Sequence, residues 1–162
     1  MKRRTAAERA SAAVKTIVFL GLDGTQILDI TGPFQVFVRA AEIYLRSHPK
    51  QKPPYTVLLA STTGSRTILT NCGLGLTATD TFRSLPAPIH TLLVAGGTEV
   101  EQETHDKELI AWLRKVSPRV QRLGSICTGA FLLAAAGLLD GKRVATHWKW
   151  PKNWPADSRK SP

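Results

Sequence analysis

The segment from Arg122 to Trp148, RLGSICTGAFLLAAAGLLDGKRVATHW, constrains the fold most, because it sets a cysteine where a strand turns sharply into a helix. Val120 to Ile126 reads as a short buried strand and Thr128 to Leu139 as an apolar helix stopped by Asp140-Gly141. Cys127 falls at the junction. Such an elbow needs small residues two places either side of the central residue, so that strand and helix backbones can approach; Ser125 and Gly129 meet that need. The free N–H groups and dipole of the helix start favour a thiolate, which predicts a thiol held below its ordinary pKa. The alternative is that Cys127 is a small buried apolar residue.

Further strands alternate with helices. Lys15–Leu22 and Tyr55–Ser61 read as strands, and short strands around Arg66–Thr70 and Leu76–Thr79 form a hairpin. Thr91–Ala95 is a buried strand ending at Gly96-Gly97, and Arg143–His147 reads as the last strand. Thr31-Gly32-Pro33 opens a helix, with Thr31 as its N-cap, whose apolar positions Phe34, Phe37, Val38 and Ala41 carry it to about Arg46. Glu101–Val116 reads as one amphipathic helix with an acidic first turn and Arg114 and Lys115 in its last. The alternation predicts an α/β sandwich, a mostly parallel sheet covered by helices on both faces.

In such sheets polar groups gather outside the carboxyl ends of the strands. Those ends bring Asp29, Gly96, Gly97, Cys127, Thr128 and His147 toward one crevice. The N–H groups of Gly96, Gly97 and Thr128 could form an anion hole, or the two glycines only a tight turn. Asp29 stabilises a thiolate if protonated, repels it if ionised, or serves merely as an acidic residue at a helix start. His147 either orients a reacting group or is a hydrogen-bonded structural residue; Thr128 either caps the helix or touches ligand. Cys72, with no local partner, reads as structural. The four histidines and two cysteines show no metal-ligand spacing, so no metal is expected, and no glycine-rich nucleotide loop is present, so no cofactor is expected.

Charge argues against nucleic acid. The chain of 162 residues carries 22 basic and 12 acidic side chains, a net charge of +10. Residues 1–15 hold five basic and one acidic, and residues 149–162 four and one, leaving 13 against 10, or +3, between them. The excess lies in the ends, and no recognition helix is evident, so specific DNA binding by this chain alone is not expected. No apolar run is long enough to span a membrane. Two cysteines far apart suggest a reducing cytoplasm.

Five stretches together resemble the ThiJ/PfpI family of the class I glutamine amidotransferase-like superfamily: DITGPFQVF from Asp29, TNCGLGL from Thr70, LLVAGG from Leu92, DKELIAWLR from Asp106, and SICTGAFLLAAAGLLDGKRVATHW from Ser125. Within it, the chain is most similar to the N-terminal domain of GlxA-type, AraC-family regulators. The resemblance implies a flavodoxin-like fold and a domain over residues 15–148, flanked by basic tails at 1–14 and 149–162. It also implies a small-molecule ligand and a homodimer. Isonitrile hydratases of the same branch look alike at Asp29, Cys127 and Thr128, which implies catalytic roles there by analogy. Protease-like members place histidine after the cysteine, where this chain has Thr128, and the family serine before Gly73 is Cys72 here. After His147-Trp148 the chain departs from the pattern into KWPKNWPADSRKSP, so the expected product is a sensor domain shortened at its C-terminus, natural or frameshifted, without its helix-turn-helix half. A small cysteine-dependent enzyme and an inactive remnant are the competing readings.

Overall fold

The computed structural model describes residues 14–148. Five parallel strands form one sheet in the order β5-β2-β1-β6-β7: β1 Lys15–Gly21, β2 Tyr55–Ser61, β5 Asp80–Thr81, β6 Thr91–Val94 and β7 Arg122–Ser125. β3 Thr67–Leu69 and β4 Gly75–Thr77 make a separate antiparallel hairpin, as their spacing predicts. The two-residue β5 is too short to leave a pattern in sequence. β1 lies at the centre because its apolar run can be buried on both faces. Val18 and Leu20 enter one core with Leu109, Leu113, Phe131 and Leu132, while Ile17 and Phe19 enter a second with Ile30, Phe34 and Phe37. Helices therefore cover both faces.

The helix of the second core, α1, spans Ile27–Ser47, and its N-cap lies five residues before the expected one. Gln26 is its N-cap, accepting the Leu28 N–H on its side chain. Thr31 does not cap; its hydroxyl donates to the Ile27 carbonyl inside the helix, at 2.9 Å. Pro33 lies inside α1, where its missing N–H leaves the Asp29 carbonyl without the usual helical donor.

The expected helix over 101–116 is two helices, α2 Val100–Glu103 and α3 Lys107–Val116. The break comes from Asp106, whose carboxylate accepts the N–H groups of Glu108 and Leu109 and starts α3 afresh. The helix after Cys127 is also shorter than expected. A 3₁₀ turn, Cys127–Gly129, leads into α4, Ala130–Ala135. Gly137, at φ +71°, closes α4: its N–H donates to the Ala134 carbonyl and the Leu138 N–H to that of Leu133, a Schellman stop. Finally, Arg143–His147 is no strand. Residues 141–145 are exposed and unladdered, and Thr146 instead donates its hydroxyl to the Cys127 carbonyl at 2.9 Å. That run has only Val144 and Ala145 to bury, too little apolar surface to hold it on the sheet. The expected tails lie outside the described residues.

Candidate functional site

The site is built at the carboxyl ends of β1, β6 and β7. Cys127 has φ +54°, a left-handed conformation that no other non-glycine residue shares among the described residues. A side chain there costs about 1 kcal/mol or more, so the surrounding packing must hold it. That packing is visible. A Cβ on Gly129 would stand 2.2 Å from the Val94 carbonyl oxygen, and one on Gly96 would stand 2.6 Å from the Thr128 nitrogen. The turn after β7 and the Gly96-Gly97 turn after β6 thus press backbone to backbone, a fit that only glycine permits at both positions.

Thr128 ties the two turns together. The Gly97 N–H donates to its hydroxyl at 3.0 Å, and the hydroxyl lies 3.2 Å from the Gly97 carbonyl. Below it, the buried Thr25 donates to the Gly96 carbonyl at 2.7 Å. Asp29 sits in the first turn of α1 with its carboxyl toward the Gly96 N–H and the Cys127 thiol. Its Oδ2 is buried and, among the described residues, has no hydrogen-bond partner of good geometry. An anion hole from Gly96 and Gly97 is therefore not open here: the first N–H faces Asp29 and the second serves Thr128.

Burial pushes the Asp29 carboxyl above its ordinary pKa, against the smaller downward pull of the Gly96 N–H, the thiol and the charge of His147. The Cys127 thiol is pushed up as well, first by burial and then by the Asp29 charge, while the Thr128 N–H and hydroxyl pull it down less. This corrects the expected low thiol pKa. A 3₁₀ turn followed by a six-residue helix offers little dipole, and a carboxylate stands beside the sulfur. Both burial and the neighbouring carboxyl thus disfavour the thiolate.

A pocket of about 140 Å³ opens over this pair, lined by Gln26, Asn71, Gly97, Thr98, Cys127, Thr128 and His147. The structure thus brings Cys127, Thr128, Gly97 and His147 to one surface, with Asp29 against the thiol and Gly96 beneath. Gln26, Asn71 and Thr98 escaped the sequence reading. Asn71 arrives on the hairpin tip, where its N–H donates to the Thr25 carbonyl, and no spacing along the chain links it to Cys127. Cys72 beside it is exposed rather than structural. Its Sγ lies 3.3 Å from the Thr70 hydroxyl, and that contact and the Leu74 backbone hold the thiol below its ordinary pKa. No group of three or more metal-ligating side chains occurs among the described residues, and no helix there is long and apolar enough to cross a membrane.

A cysteine in a left-handed turn between strand and helix, beside a buried carboxyl at the end of a parallel sheet, defines an α/β protein built around one thiol. The chain belongs to the DJ-1/PfpI family, whose model matches residues 15–157. It is 34% identical over 139 residues to an uncharacterised protein from the cpoL 5' region of Streptomyces lividans, covering 86% of this chain and 92% of that one. Isonitrile hydratase of Pseudomonas putida is 31% identical over 134 residues, 83% of this chain and 53% of the hydratase. The transcriptional regulator GlxA of Rhizobium meliloti is 35% identical over 86 residues, 53% of this chain and 26% of the regulator. Against the latter two, the chain thus spans about half and a quarter of the relative's length. Among solved structures, an AraC family transcriptional regulator from Pseudomonas putida shares the fold with a TM-score of 0.73 at 23% identity, over 91% of this chain and 74% of that one.

Proposed function

We propose that this chain is a ligand-sensing domain of the regulator type, with a small molecule seated over Cys127 between the elbow and the hairpin tip. One observation carries this reading: the Gly97 N–H is already spent on the Thr128 hydroxyl, so this donor is held within the turn rather than free to stabilise developing charge. The likeness to the helix-turn-helix regulator GlxA supports it. A thermal-shift screen of small metabolites tests it. Ligands that raise the melting point should lose most of that effect in Asn71→Ala and Thr128→Val, because linkage tracks affinity. Stabilisation untouched by both changes would count against a site here.

The enzyme reading rests on a specific arrangement as well: Asp29, Cys127 and Thr128 stand together, and a hydratase of isonitriles is among the relatives. In that reading Cys127 is a nucleophile on an elbow. Its sulfur bonds to the isonitrile carbon while Asp29 takes the thiol proton and returns it to that carbon, giving a thioimidate. Water then displaces the thiol and leaves the formamide. Cyclohexyl isocyanide with the purified chain separates the two readings. The sensor yields no formamide; the enzyme yields it, and loses it in Cys127→Ala and Asp29→Asn.

The homodimer belongs to the same proposal. On α1, Leu28, Val36 and Ile43 are 64%, 67% and 53% exposed. With exposed Gly32 and Ala40 they form one apolar stripe along the helix. A second copy packed on that stripe would cover it by a self-complementary contact.

A further inference from the structure

At the opposite end of β6 from Cys127 lies a larger cavity of about 330 Å³, and nothing in the thiol site uses it. Its floor is continuous with the first core: Leu85, Ile89, Trp112, Val116 and Val120 all line it and pack on that cluster. Trp112 is fixed edge-on to Phe82, with ring centres 5.5 Å apart. The volume falls at the lower end of the roughly 300–1,000 Å³ typical of small-molecule sites and suits an arene or a short alkyl chain.

Charge at the rim selects among such ligands. Arg83 lies over the Phe82 ring and takes Glu108 in a bidentate pair, Nε to Oε1 at 2.7 Å and Nη2 to Oε2 at 2.5 Å. That pairing cancels the nearby acid. Lys115 and Arg119 also line the cavity, and neither has an acidic partner among the described residues. The carbonyl end of α3 opposes an anion with about half a charge, whereas the two side chains favour it with two. We infer that this cavity is a second binding site, for an amphipathic carboxylate whose apolar body rests on Trp112 and Val116 and whose carboxylate meets Lys115 and Arg119.

The test uses the full chain with 4-phenylbutyrate and its neutral analogue 4-phenylbutan-1-ol, followed by calorimetry and amide NMR. The expected result is saturable binding of the acid, with amide shifts confined to residues 85–89 and 112–120. Affinity should fall about tenfold or more for the alcohol and for the double variant Lys115→Glu/Arg119→Glu, whose positions are exposed and whose fold circular dichroism checks. Absence of saturable binding overturns the site. Equal binding of acid and alcohol, or binding indifferent to the charge reversal, overturns the ligand class. Shifts centred on residues 96–98 and 127–129 overturn the location.

Discussion

The two cysteines differ in a way their surroundings explain. Cys127 is half-buried beside a carboxyl and pushed above its ordinary pKa, whereas Cys72 is exposed, hydrogen-bonded and pushed below it. Only the thiolate attacks an alkylating agent, so iodoacetamide at pH 7 should label Cys72 first. The alkylation midpoint of Cys127, read by mass spectrometry across pH, should lie above that of an ordinary thiol. Asp29→Asn removes the second-largest upward push and should bring that midpoint down; a rise would mean that Asp29 donates a hydrogen bond to the thiolate. At this scale the sequence revealed Cys127, because a small-residue elbow is a local pattern. It hid Asn71, whose place depends on a hairpin folding over Thr25, and it misjudged the thiol, because the direction of its pKa follows first from how deeply the folded chain buries the sulfur and then from the Asp29 charge beside it.

Among the elements, two of the differences share a cause: side chains that bond to nearby backbone move helix ends. Asp106 splits one predicted helix into two, and Gln26 starts α1 early where Thr31 looked the better cap. Most strands were legible from apolar runs, whereas the two-residue β5 was not, and Arg143–His147 reads as a strand that does not form. The cap itself is testable. Asp106→Ala should cost about 1 kcal/mol of stability by removing the acceptor for two N–H groups of α3, measured by urea unfolding. Asp106→Asn, which keeps an acceptor oxygen, should recover most of that loss. Arg114, expected to serve its own helix, instead donates to the carbonyls of Ala135 and Ala136 and so closes the end of α4 from outside.

For the molecule as a whole, the exposed α1 stripe makes the proposed homodimer testable. If a second copy covers Leu28, Val36 and Ile43, then Val36→Glu places a charge in the contact and should convert a dimer to a monomer in light scattering, with the fold intact because that side chain faces solvent in one copy. An unchanged mass would place any pairing elsewhere. The architecture also sets the order in which the chain can be assembled. β1 emerges first during synthesis, yet it is the middle of the sheet and stays without a neighbour until β2 follows some 40 residues later and β6 about 75 residues later. β7 can join only after β6, so the turn that carries Cys127 is laid down on a sheet whose other four strands have already been made. Long-range parallel pairing of this kind is slow. The thiol pocket is accordingly the last part of this sheet to close, and a nascent chain interrupted before Gly129 would hold most of the core while lacking the contact of backbone on backbone that bends the cysteine into place.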